Sequence, residues 1–166
     1  MIQSANVIDA KLALSHLDVE EKQTAITGAS RDFFWYSPVL KSRLDHLVAD
    51  FLVRPKDEAE VIEILRVCYA HDVPVTTRGA GTGNYGQAMP LRGGCVLHLK
   101  HMDKVTHCEP GRVIVQPGCL LKDVDAYCIP ACGHELRMFS STWATATIGG
   151  FIAGGSGGVG SVTWGS

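Results

Sequence analysis

The residues with the clearest chemistry are Arg78-Gly79-Ala80-Gly81-Thr82-Gly83-Asn84-Tyr85-Gly86-Gln87. A loop so poor in side chains lets successive backbone N–H groups meet an anion at close range. Arg78 adds positive charge, and Thr82, Asn84 and Gln87 add side-chain donors. The chemistry suits a phosphate or pyrophosphate. Letter by letter, Gly81 to Gly86 also satisfies GxGxxG, but that dinucleotide fingerprint requires a helix to open in the loop. Here Pro90 and Gly93-Gly94 follow and the next element reads as a strand, which argues against a nicotinamide site of the Rossmann type. No Lys-Ser/Thr pair follows the glycines, so the loop is not a Walker motif. A tight turn without a ligand is the plain alternative.

A second stretch runs from Ser140-Ser141-Thr142 through Ala146-Thr147-Ile148-Gly149-Gly150 to Gly157-Gly158-Val159-Gly160-Ser161. It is too rich in glycine to stand as an isolated helix, so tertiary contacts or a ligand must hold it. The chain has 18 glycines in 166 residues, where average usage of about 7% would give about 12. Four lie within residues 79–86 and seven within 149–160. That clustering predicts backbone that approaches something closely.

Other reactive side chains are less suggestive. Cys68, Cys95, Cys108, Cys119, Cys128 and Cys132 read as reduced thiols packed as small hydrophobes. Cys128, Cys132 and His134 lie close in sequence, but their spacing matches no metal motif, and no metal is expected. His98, His101, His107 and His134 are the available acid–base groups. Each reads as a structural or surface histidine, so no catalytic residue is assigned.

The elements that position these loops follow from periodicity. Residues 5–16 form an amphipathic helix, and an irregular segment to about residue 47 carries Phe33, Phe34, Trp35 and Tyr36, expected as filler at a domain or subunit seam. Residues 49–54 read as a strand stopped by Pro55. Asp57 with Glu60 is a capping-box signature for a helix with Val61, Ile64, Leu65, Cys68 and Tyr69 on one face. Residues 73–77 then read as a buried strand, giving strand–helix–strand with a parallel crossover. A strand at 95–99 follows, then a hairpin of 105–108 and 112–116 around Glu109-Pro110-Gly111, then a helix at 120–128 closed by Pro130. The order of elements is mixed, so the fold class is α+β.

Taken together the pieces show a resemblance. Val53-Arg54-Pro55, the run from Val73-Pro74-Val75 through Gly83, Val115-Gln116-Pro117-Gly118, and the Ala146–Ser161 segment occur in an order that resembles the FAD-binding PCMH-type domain. This is the domain of the vanillyl-alcohol oxidase / p-cresol methylhydroxylase family of FAD-linked oxidases, whose members include D-lactate dehydrogenases and the FAD subunits of glycolate oxidase. The resemblance covers roughly residues 49–165. It implies a small parallel strand–helix–strand subdomain followed by the start of a mixed or antiparallel sheet subdomain. Residues 1–47 would form an N-terminal helical and irregular segment, and residues 48–166 the FAD-binding domain, without its C-terminal part.

The same resemblance implies that Arg78, Gly79, Ala80, Gly81, Thr82, Gly83, Asn84, Gly86 and Gln87 wrap the FAD pyrophosphate. Ser141, Thr142, Thr147, Ile148, Gly149, Gly150, Gly157, Gly160 and Ser161 would line the rest of one cofactor. Some members tether flavin through a His in the first loop; Thr82 stands at the matching position, which implies non-covalent FAD. Relatives are longer and carry a cap domain holding the substrate pocket, so this chain is expected to be part of a longer protein. The implied function is flavin-dependent oxidation of a 2-hydroxy acid or similar alcohol, with an unspecified electron acceptor. The alternative is a fragment that holds FAD without turnover.

Charge and hydropathy exclude other classes. The net charge of −2, without a basic cluster, argues against nucleic-acid binding. No apolar run approaches the roughly 20 residues of a membrane span. The start lacks a cationic region followed by an apolar one, so a cytoplasmic protein is expected. A homo-oligomer, or pairing with a separate cap-domain chain, is a further expectation.

Overall fold

The computed structural model describes residues 4–155 and 157–165. Its contacts fall into two compact units, residues 1–101 and residues 102–166.

The first unit is built on a four-stranded sheet. Its elements are α1 (Ala5–Ala13), β1 (Val19–Glu20), α2 (Gln23–Ala29), a 3-10 turn at Phe34–Tyr36, α3 (Pro38–Leu44), β2 (Phe51–Val53), α4 (Glu58–Ala70), β3 (Val75–Arg78), β4 (Cys95–His98) and a second 3-10 turn at Leu99–His101. The strand order is β1-β2-β4-β3. β2, β4 and β3 run parallel, with Phe51 opposite Cys95 and Arg78 opposite His98, and β1 is antiparallel to β2.

Alternation along the strands sends Phe51, Val53, Cys95 and Leu97 to one face, where they meet Val7, Ala10 and Leu14 of α1 and Ile64 and Cys68 of α4. Leu52 and Val96 point the other way, onto Ile26 and Ala29 of α2 and onto Ala49. With both faces covered, β2 and β4 read as unbroken apolar runs. Helices α1 and α2 therefore both contribute to this core.

The α4 start forms half of the expected capping box, and the returning Glu60 bond goes to the residue before the cap. The Asp57 carboxylate accepts the Glu60 N–H at 2.9 Å, and Glu60 reaches back to accept the Lys56 N–H at 2.8 Å. Two expectations need correction. Leu65 and Tyr69 are exposed; the inward stripe of α4 is Val61, Ile64, Val67 and Cys68. β3 is not a buried strand but the sheet edge, because β4 inserts between it and β2. Of the aromatic run only Phe34 is buried; Phe33, Trp35 and Tyr36 form an exposed cluster, with Phe33 stacked on Tyr36 and edge-on to Trp35.

The second unit pairs β5 (Val105–Glu109) with β6 (Arg112–Val115), followed by α5 (Leu121–Cys132), α6 (Ile148–Ala153) and α7 (Ser161–Trp164). Gly111 turns the hairpin at φ +83°, a left-handed conformation suited to the residue after a turn proline. The hairpin packs through Val105, Cys108, Val113 and Val115 on Cys119, Val124 and Cys128.

Helix α5 does not stop before Pro130. It runs to Cys132 and ends on Gly133 in the left-handed conformation. Proline costs the last turn one hydrogen bond, and the packing of Cys128 and Cys132 on the hairpin holds that turn regardless.

Candidate cofactor site

Residues 79–94 carry no regular structure and join β3 directly to β4. No helix opens in the loop, so the Rossmann reading fails on geometry. Two buried charges anchor it. The Asp32 carboxylate, 5% exposed, accepts the Phe34 N–H at 2.8 Å with one oxygen and the Gly86 N–H at 2.9 Å with the other. The Gly83 carbonyl accepts the Phe33 N–H at 2.8 Å. Arg78 turns its guanidinium toward the protein, where it donates to the carbonyls of Arg31 and Ala80. Burial pulls its pKa below the usual arginine value, and the nearby Asp32 charge opposes that shift.

This anchoring explains two of the glycines. Gly81 sits at φ +70°, and a Cβ there would fall on the Arg78 guanidinium. Gly86, at φ +77°, would collide with Leu44. With the loop held from below, the backbone N–H groups of Ala80, Gly81, Thr82, Gly83, Asn84 and Tyr85 donate to no acceptor among the described residues. The side chains of Thr82, Asn84 and Gln87 form no hydrogen bond there either. Six consecutive backbone donors thus stay free on partly exposed backbone, and such groups can meet an anion where they converge.

His98 stands beneath this loop, hydrogen-bonded to the Gly79 backbone. Burial first, then the charges of Arg78, Lys100 and Arg54, hold its pKa down to about 4, so the imidazole is neutral at physiological pH. The other histidines lie elsewhere: His101 beside Asp18, His107 beside Glu109, and His134 exposed.

In the second unit the glycine-rich segment is satisfied differently. Thr147 caps α6, its hydroxyl accepting the Gly150 N–H at 3.3 Å. The N–H groups of Ile148 and Gly149 go to the carbonyls of Cys119 and Pro117. A Cβ on Gly149 would meet Pro117; on Gly158, the Phe139 carbonyl; on Gly160, the Arg137 carbonyl. At these glycines the close approach is therefore to the protein's own backbone. Ser161 accepts the Gly158 N–H at 2.6 Å, and Thr142 bonds Ser140 at 3.0 Å. Ser141 is exposed with no partner among the described residues, and Gly157 is exposed. The 140–146 turn is held by buried Asp125, which accepts the Leu136 N–H at 2.7 Å and the Trp143 indole N–H at 2.9 Å.

Asp32 and Asp125 were not singled out by the sequence. The available signal for Asp125 was its place on the buried α5 stripe beside Leu121, Val124 and Cys128. For Asp32 it was only the run of aromatics after it.

Comparison with known families matches residues 49–166 to the FAD binding domain model. The chain belongs to the FAD binding domain family. Among curated relatives of this FAD-binding chain, glycolate oxidase subunit GlcD of Bacillus subtilis (strain 168) is 32% identical over 118 residues, covering 70% of this chain and 25% of that protein. The Escherichia coli K12 GlcD is 37% identical over 112 residues, 65% of this chain and 22% of that one. D-lactate dehydrogenase of Archaeoglobus fulgidus is 36% identical over 117 residues, 69% of this chain and 26% of that one. The chain thus matches about a quarter of the length of these relatives.

Two solved structures share the fold. Alkyldihydroxyacetonephosphate synthase has a TM-score of 0.81 at 18% identity, covering 99% of this chain and 34% of that one. P-cresol methylhydroxylase has a TM-score of 0.67 at 20% identity, covering 89% and 28%. The expected α+β class, with a parallel and an antiparallel sheet, holds. Among the described residues no helix is long and apolar enough to cross a membrane.

Proposed function

We propose that this chain is the FAD-holding part of a flavin-dependent oxidoreductase acting on a 2-hydroxy acid. The supporting observation is the row of six free N–H groups from Ala80 to Tyr85, which suits the diphosphate of FAD and needs no cationic side chain. On this reading Gly79 to Gly83, Asn84, Gly86 and Gln87 take the pyrophosphate, with Arg78 acting as a strut beneath them. In the second unit, exposed Ser141 and its neighbour Thr142 offer donors to the remaining cofactor. Thr147, Ile148, Gly149, Gly150, Gly157, Gly160 and Ser161 shape the backbone that presents them. Bound flavin accepts the electron pair released by the oxidised alcohol. The named relatives, glycolate oxidase and D-lactate dehydrogenase, support the 2-hydroxy acid class.

The flavin is held without a covalent tether, because Thr82 provides no ring nitrogen in the loop. On the same reading the chain works in the cytoplasm, where its six free thiols stay reduced. Titration of the purified chain with FAD tests the proposal. Saturation at one FAD per chain is expected, with thermal stabilisation; at 100 times the dissociation constant the gain is about 2.7 kcal/mol. Absence of binding overturns it. Flavin that stays on the polypeptide after denaturation overturns the non-covalent assignment. Bleaching of bound flavin by 2-hydroxy acids supports turnover, whereas bound but unresponsive flavin leaves the chain as a binding part only.

A further inference from the structure

We infer that Cys108, Cys128 and Cys132 form a three-thiolate site for a soft monovalent cation, copper(I). Cys108 lies on β5, while Cys128 and Cys132 are one turn apart on α5 and share a face. The three Sγ atoms all lie within 4.8 Å of one another. Cys108 and Cys132 are in direct contact at 2.7 Å, and the Cys132 thiol donates to the Cys128 carbonyl at 3.3 Å. Cys128 is buried and the other two are half-buried, so an ion can reach the cluster from solvent. The walls are apolar: Val105, Val113, Val115, Val124 and Leu136.

The donor set selects the ion. Among the described residues no carboxylate or imidazole joins the sulfurs, and purely thiolate ligation favours soft metals. A metal–sulfur bond of about 2.3 Å in a trigonal plane puts the sulfurs about 4 Å apart. That span fits within the cluster once Cys108 and Cys132 rotate apart. Structural zinc requires a fourth ligand, which the described residues do not supply. A disulfide would use two sulfurs and give the third, packed at the same point, no role.

Binding would replace thiol protons. Three thiols release up to three protons to solvent as one copper(I) enters, so apparent affinity strengthens by at least about tenfold per pH unit near neutrality.

Anaerobic titration of the reduced full chain with copper(I), against a chromophoric chelator, tests the site. One ion per chain is expected, weakened at least about 100-fold by Cys108→Ser, Cys128→Ser or Cys132→Ser, with Cys119→Ser unaffected. A second readout needs no variant: bound copper(I) should protect Cys108 and Cys132 of the wild-type chain from iodoacetamide, read by mass spectrometry. Alkylation at the same rate with and without copper(I) overturns the proposal. So does zinc(II) that outcompetes copper(I), or a folded Cys108→Ser chain with undiminished affinity.

Discussion

Asp32 shows how one side chain can set a whole loop. Its two oxygens serve two backbone N–H groups far apart in the chain, Phe34 and Gly86, while its charge faces Arg78. Asp32→Asn keeps the shape but puts an NH2 against one of those donors. A buried donor left unpaired costs about 1–3 kcal/mol. Urea unfolding should show that loss, and FAD titration should show about tenfold weaker binding; unchanged values in both would remove Asp32 from its anchoring role.

His98 carries a pH signature of its own. Its folded pKa of about 4 lies below the ordinary 6.5, so between those values the unfolded chain binds more protons. Stability should therefore rise with pH across that window and level off above it. The increment is on the order of 1 kcal/mol, after discounting for partial exposure. Chemical denaturation between pH 4 and pH 7.5 measures it, and His98→Gln should flatten the curve.

At the scale of elements, the glycines divide by what they avoid. Gly111 turns the β5–β6 hairpin at φ +83°, and a Cβ added to it would have nothing within 4 Å. Gly158 needs no left-handed backbone, but a Cβ there would lie 2.0 Å from the Phe139 carbonyl oxygen. Gly111→Ala should therefore cost about 1 kcal/mol, the conformational penalty alone. Gly158→Ala must break the bridge between Phe139 and Val159 and should cost about 2–4 kcal/mol, as other overpacking changes do. Thermal unfolding of the two variants compares them directly; equal losses would mean the 157–161 backbone yields freely. The other elements follow the same division. The α4 cap was legible because Asp57, Lys56 and Glu60 are neighbours in sequence. The edge position of β3 and the passage of α5 through Pro130 were not, because each depends on a partner element supplied from elsewhere in the chain.

Across the molecule, the sequence alone sufficed for the apolar strands, the α4 cap, the hairpin turn and the two glycine-rich segments in their order. These are local signals, carried by residues a few positions apart, and their order was enough to indicate the α+β class and the FAD-binding family. Tertiary structure alone decided how the glycines are used: the first loop keeps its N–H groups free, whereas Gly149, Gly158 and Gly160 are packed against Pro117, Phe139 and Arg137. It also brought Asp32 under the loop, Asp125 under the 140–146 turn, and Cys108 to Cys128 and Cys132 in place of His134. The physical reason is common to all of these. A contact between residues tens of positions apart depends on how sheets and helices pack, and no periodicity along the chain records it.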